Sequence, residues 1–364
     1  IALKEGNAII TATIDDASAI CVVNVEKKDN SDTDVPDILL NRNWQTNTSG
    51  GYDSSFYEQL TYDVRYERDG EALNNLYYAN VSGTYTVTTQ ADSYYRASDD
   101  LTVNQAYRID SVLTVSASIV DQNGDVIYAF GGDSGVPADT IRSTVWFRDT
   151  SEEALPLESS TQVYSHTPLQ SGNIAIYSYT TSTVYSADAA GATVTMTDTS
   201  DTVTENADGA NERVFVGSFE SSTRNFSKLT EDYSVFDNEQ LMFAGRGLTF
   251  AADTSHTVNV VSASAGGAAV TLSCSEVADR PYSFNFNGQA LSEQTIPTCV
   301  VNFSRSGAGD NTGTTHTVDY ANRSSNASAN TYRNLPLRIT TNLSYAMGSF
   351  LYVLTSANYT EPTA

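Results

Sequence analysis

The chain has 364 residues, 44 of them acidic and 19 basic, for a formal net charge of −25 and a pI near 4.2. That balance repels nucleic acid and anionic membrane surfaces and excludes the usual basic-patch binders. No apolar run reaches the length of a membrane-spanning helix, so insertion by helices is excluded as well.

Other counts set the class. Tyr numbers 22 and Phe 13, in a chain rich in Ser, Thr and Val, and such residues suit pleated, half-buried strands. The length allows about two to three domains. Three cysteines, Cys21, Cys274 and Cys299, are an odd number and argue against a complete disulfide framework. Buried thiols and a single bridge both remain open.

The chain opens with Leu3 to Lys28, LKEGNAIITATIDDASAICVVNVEKK. Asn7–Ile14 alternates Ala8, Ile10 and Ala12 with Ile9, Thr11 and Thr13, the period of a strand. Asp15-Asp16 suits a turn. Ala19–Val25 then puts Cys21 and Val23 on one face and Ile20 and Val22 on the other, so a second strand follows that is apolar on both sides.

The run G-N-A-I-I-T-A-T-I-D-D-A-S-A-I-C-V-V-N-V resembles the closing strands of a bacterial immunoglobulin-like domain of group 2. The resemblance covers residues 3–28 only. It implies a spacer or decoration module of a surface adhesin or phage particle, without catalysis. Two strands are marginal alone. Either they pack on the remaining chain, or a neighbouring copy completes their sheet by strand addition, with Ile9, Ile20 and Val22 as the assembly contact. A fragment cut within a longer protein is the other reading.

Residues 29–37, DNSDTDVPD, read as an acidic linker. Asp29, Asp32, Asp34 and Asp37 are oxygen ligands of the type calcium takes. A solvated, charge-stiffened linker is the simpler account. Calcium is the one cofactor considered.

From Ile38 short strands are expected. Tyr62, Val64 and Tyr66 alternate with Asp63, Arg65 and Glu67; Gly83–Thr89 alternates again; Leu113, Val115, Ala117 and Ile119 form an inward set. Asn123-Gly124 signals a hairpin into Val126–Phe130. Further strands are expected at Thr144–Arg148, Asn173–Tyr179 and Ala192–Thr197. The Ser/Thr/Ala-rich stretch Thr180–Asn211 reads as a domain boundary or exposed excursion. Beyond it, strands are expected at Arg213–Phe219, Leu241–Phe250, Thr257–Ser262, Ala268–Cys274, Tyr282–Phe286, Cys299–Phe303, Thr315–Tyr320, Leu337–Leu343 and Ser349–Leu354, with room for a short helix in Ser227–Glu239. The predicted class is all-β, with tandem immunoglobulin-like or β-sandwich domains and little helix. The domains would be 1–28, the terminal strands; 29–37, the linker; 38–190, a first sandwich; and 191–364, a second.

Catalytic motifs do not assemble. Gly132-Asp133-Ser134-Gly135 resembles the nucleophile loop of chymotrypsin-like proteases, but that family puts its His and Asp before the Ser. Here His166, His256 and His316 all follow, and Val136-Pro137 replaces the family's next residues. There is no H-E-x-x-H or C-x-x-C. Asp121-Gln-Asn-Gly-Asp125 lacks the downstream Glu of a calcium loop.

Eleven tyrosines fall between Tyr52 and Tyr128. In Tyr77-Tyr78 and Tyr94-Tyr95, neighbours on a strand face opposite ways, so one of each pair should point outward and offer contact area to a protein or sugar. Ordinary cross-strand packing is the alternative.

The expectation is therefore a non-enzymatic structural or adhesive protein. It would sit outside the cell, on a bacterial surface or a virion. Its partners would be copies of itself, neighbouring structural subunits, or a host-surface protein or glycan, with no nucleic acid and no membrane insertion. The second expectation is a carbohydrate-binding module or a glycan-active secreted protein.

Overall fold

The computed structural model describes residues 6–14, 17–25, 52–68, 75–149, 154–203, 212–230, 234–248, 250–262, 266–305, 313–321, 332, 334–343 and 347–360. The chain divides into two units, Ile1–Pro36 and Asp37–Ala364.

In the first unit β1 (Gly6–Ile14) pairs antiparallel with β2 (Ala17–Val25). Both strands read from the sequence are present. Ile9 stands opposite Val22 and Thr11 opposite Ile20, which puts Ile9, Ile20 and Val22 at register positions on one side of the ladder. The acidic linker and its Asp29, Asp32, Asp34 and Asp37 lie outside the described residues.

The second unit is one sheet. Its first strands are β3 (Tyr57–Glu67), β4 (Leu76–Arg96), β5 (Leu101–Asp121), β6 (Val126–Phe130), β7 (Asp139–Asp149), β8 (Ala154–Pro168), β9 (Ile174–Tyr185) and β10 (Gly191–Asp198). Short strands β11 (Val214–Val216), β12 (Ser222–Ser227) and β13 (Val235–Asp237) precede a helix, α1 (Leu241–Gly247). Then come β14 (Ser255–Ser262), β15 (Gly266–Phe286), β16 (Gln289–Arg305), β17 (Gly313–Ala321), β18 (Pro336–Asn342) and β19 (Ser349–Tyr359).

The main ladder runs β10, β9, β8, β7, β5, β4, β3, β19, β18, β17, β16, β15, β14, antiparallel at each step. A parallel contact between β15 and β19 helps close the sheet as a barrel.

The all-β class holds, but the tandem sandwiches do not form. The expected boundary at 190/191 falls in the turn between β9 and β10, which pair over Tyr185–Tyr179 and Ala192–Asp198. The Ser/Thr-rich stretch looked exposed because its side chains are polar. In the fold Thr180–Tyr185 and Gly191–Asp198 of this stretch belong to β9 and β10, and β10 pairs with β9 on one side and β12 on the other; residues 204–211 lie outside the described residues.

Nor are the strands uniformly short. β4, β5 and β15 each have 21 residues, about 70 Å of extended chain. The sequence showed only Gly83–Thr89 of β4 and split β15 into Ala268–Cys274 and Tyr282–Phe286, because bulges reset the alternation. They lie between Ala79 and Ser82 and between Asp92 and Tyr94 in β4, and between Cys274 and Glu276 and between Tyr282 and Phe284 in β15. Asn80, at the first bulge, has φ +53°, an uncommon conformation that Asn tolerates well.

One side of this ladder carries the core. Leu60, Tyr62 and Val64 of β3, Tyr107 and Ile109 of β5, Val145 and Phe147 of β7, and Val301 and Phe303 of β16 are all buried in one cluster with α1. The run Leu241–Phe250, expected as a strand, supplies this helix instead. Apart from Arg246, the helix residues Leu241–Gly247 are apolar or glycine, which suits a helix enclosed by sheet rather than a half-exposed strand. Ser227–Glu239, read as a short helix, instead ends in β13 and a 3₁₀ turn, Asn238–Gln240.

Tertiary contacts hold α1 in place. Arg246 and Glu58 are only 2% and 1% exposed and form a two-pronged ion pair at 2.5 and 3.0 Å. Tyr320 donates its hydroxyl to the Met242 carbonyl at 2.7 Å, and Asn334 Nδ2 donates to the Arg246 carbonyl at 2.9 Å. A Cβ on Gly245 would lie 2.2 Å from the Tyr320 hydroxyl, so only glycine fits.

Candidate functional site

A groove of about 540 Å³ lies over β7, β8 and β9. Its floor follows from register. Arg142 stands opposite Gln162, and Gln162 opposite Thr180; one step along, Thr140 stands opposite Tyr164, and Tyr164 opposite Ser178. Side chains alternate across a strand, so these six share the face opposite the one that carries Val145 and Phe147. Two polar rows thus run across three strands spaced about 4.8 Å apart.

The wall is the turn that follows β10. Ser178 and Thr199 join through their hydroxyls at 2.9 Å, and the Thr199 N–H donates to the Ser178 carbonyl at 2.9 Å. Asp198 braces the turn by accepting the Ser200 and Phe219 N–H groups, both at 2.9 Å. Those two donors hold its carboxyl below the usual range. Thr202 and Val203 complete the rim, and Pro137 and Ala138 close one end.

Electrostatically the groove is the reverse of the chain. Arg142 is the one charged residue among its described lining residues, in a protein of net charge −25. The acid beside it on the sheet, Asp110, stands opposite Thr144 and is already engaged: it accepts Thr144 Oγ1 and Arg108 Nε, each at 2.8 Å. Arg142 is exposed and makes no ion pair among the described residues.

A second, smaller cavity of about 140 Å³ lies on the core side, between Ser159, Thr161, Thr181 and Thr183 and the segment Asp237–Glu239. Asp237 is buried there and accepts Ser159 Oγ at 2.6 Å, Tyr185 Oη at 2.7 Å and the Glu239 N–H at 2.9 Å. Burial raises its pKa to about 6, against the lowering effect of those donors. It fastens β13 and the start of the helical segment to β8 and β9.

The predicted surface tyrosines divide as strand alternation requires. Tyr95 is 62% exposed and Tyr77 half-buried beneath the Arg68 guanidinium, 3.7 Å from the ring centroid. Tyr78 and Tyr94 are corrections. Both are buried, Tyr78 donating to the His166 carbonyl at 2.9 Å and Tyr94 to the Glu158 carboxylate. None of the four lines the groove.

The protease-like loop is a turn. Ser134 lies in a single 3₁₀ turn, exposed, and its hydroxyl exchanges hydrogen bonds with the Val136 backbone. No hydrogen bond joins it to a histidine among the described residues. His166 is buried against the Phe130 ring, its Nδ1 2.6 Å from Asp139. His316 is depressed to about 4 by burial and bonds Thr341.

Asp121 Oδ1 likewise accepts the N–H groups of Asn123 and Asp125, the work of a hairpin turn. Cys274 and Cys299 are free and buried, and burial pushes the Cys299 thiol up to about 12. No cluster of three or more metal-type ligands occurs among the described residues.

The groove was missed in the sequence. Thr140, Arg142, Gln162, Tyr164, Ser178 and Thr180 come from three separate strands, and only pairing register brings them together. The one local signal was alternation of polar side chains in Thr140–Thr144.

Comparison with known proteins adds little. No protein-family model matches the sequence, and no curated protein matches it. Among solved structures, a β-barrel-like protein of a domain of unknown function from Brucella abortus superposes with a TM-score of 0.43 at 9% identity, over 84% of this chain and 98% of that one.

Proposed function

We propose that this chain is a non-enzymatic binding protein of structural or adhesive type, displayed outside the cell on a bacterial surface or a virion. The groove over β7–β9 carries the reading. It is within the size range of ligand sites, mixes hydroxyl and amide side chains with the apolar Pro137, Ala138, Val163 and Val203, and is mounted on a closed sheet that fixes its geometry. Its described lining residues offer hydroxyls, an amide and one guanidinium, groups suited to holding a partner.

The opening hairpin supports the adhesive side of the proposal. Ile9, Ile20 and Val22 would form a contact with another copy or a neighbouring structural subunit by strand addition. Deleting residues 1–28 and following assembly by light scattering tests that contact; unchanged assembly removes it.

A carbohydrate-binding module is the second reading, favoured by the hydroxyl-lined floor with Tyr164 in its middle row. Glycan-array binding with no turnover of the bound glycans is the expected result. Turnover would replace the binding role with a hydrolytic one.

A further inference from the structure

We propose that the groove over β7–β9 takes a saccharide bearing a carboxylate, such as a uronic acid unit, with Arg142 as the anchor for the acid group. The inference rests on the reading of this groove as a ligand site and adds the chemistry of the ligand.

Three features point to one negative charge on a hydroxylated molecule. First, Arg142 is a forked donor, suited to a planar carboxylate, and its strand-neighbour acid Asp110 is occupied by Arg108 and Thr144. Among the described residues its guanidinium makes no ion pair.

Second, the charge is single. No other basic or acidic residue is found among the described lining residues. Phosphate and sulfate esters are generally held by several donors or cations together. One guanidinium matches one carboxylate.

Third, the rest of the floor is built for hydroxyls. Gln162 offers both an amide donor and a carbonyl acceptor, Thr180 carries a hydroxyl that can act either way, and Thr140 and Thr202, which donate to the Ala138 and Thr199 carbonyls, keep lone pairs that accept. The Tyr164 ring lies in the middle strand between the two hydroxyl-bearing neighbours Thr140 and Ser178. A ring with an apolar body and a polar tip is the usual surface against which a sugar face rests. The rows are set by backbone pairing, so little ordering is needed when the ligand arrives.

Calorimetric titration of the full chain tests this, using a disaccharide with one uronic acid unit, its carboxyl-reduced neutral counterpart and sodium acetate. The expected result is binding of the uronic acid disaccharide, at least ten-fold weaker binding of the neutral form, and no measurable binding of acetate. Arg142→Gln should lose at least ten-fold for the acid and leave the neutral form unchanged, while Arg142→Lys should recover part of the loss. Arg142 is exposed, so these variants keep the fold, and an unchanged far-UV spectrum checks that.

Equal binding of the acid and neutral sugars overturns the carboxylate inference and leaves the groove as a saccharide site. Acetate binding as tightly as the sugar overturns the saccharide part. Failure of every saccharide to bind removes the ligand-site reading itself.

Discussion

The ion pair between Arg246 and Glu58 offers the sharpest test of how the barrel is held. Both side chains are almost wholly buried, and the guanidinium meets the carboxylate through two hydrogen bonds. Removing the guanidinium with Arg246→Met leaves a carboxylate in an apolar enclosure without its cation. Breaking such a pair costs about 3–5 kcal/mol. Glu58→Gln leaves the converse problem and should cost a similar amount.

Replacing both together, as Glu58→Leu with Arg246→Met, removes the uncompensated charge. Buried pairs exchanged for apolar groups are often neutral or stabilising. The double variant should therefore be more stable than either single one, with a coupling of about 3 kcal/mol in a double-mutant cycle. Urea unfolding of the full chain, followed by tyrosine fluorescence and far-UV dichroism, measures all four proteins. Single variants within about 1 kcal/mol of the parent, or strict additivity in the double variant, would refute the claim that this pair locks α1 inside the sheet.

Asp237 makes stability depend on pH. Its folded pKa of about 6 lies above the ordinary 3.8, so the folded state holds the proton more tightly and the benefit is complete below pH 3.8. That benefit is lost as pH rises through 6, a fall of about 3 kcal/mol over the window. Asp237→Asn should flatten this part of the profile relative to the parent, and parallel profiles would contradict it. Gly245→Ala should destabilise by about 1–3 kcal/mol through its clash with Tyr320, although the same change in an open helix stabilises; an unchanged or raised melting temperature would remove the clash. Tyr78→Phe should cost about 1 kcal/mol by stranding the His166 carbonyl, while Tyr95→Phe should cost nothing measurable in the same urea assay. In native protein at pH 8, mass spectrometry should find Cys274 and Cys299 unalkylated, and rapid labelling of either would show them to be accessible.

The sequence by itself determined the kind of backbone. Alternation at Tyr62–Tyr66 and Leu113–Ile119, and Asn123-Gly124 between two strands, are local signals. Local signals are enough for strands and hairpins, because side-chain direction in a pleated chain has a period of two. The same rule put one tyrosine of the Tyr94-Tyr95 pair outward, and the fold decided that it is Tyr95.

Tertiary structure decided everything that depends on which strand lies beside which. The Thr180–Asn211 stretch looked like a boundary or excursion because its hydroxyls carry no burial signal, yet pairing builds Thr180–Tyr185 and Gly191–Asp198 into β9 and β10. Leu241–Phe250 is apolar enough for a strand, and becomes a helix because Glu58, Tyr320 and Asn334, distant in sequence, enclose it and satisfy its polar groups. The groove exists only through the register of β7, β8 and β9. Register is a long-range choice, made by the whole sheet closing, and no window of neighbouring residues contains it.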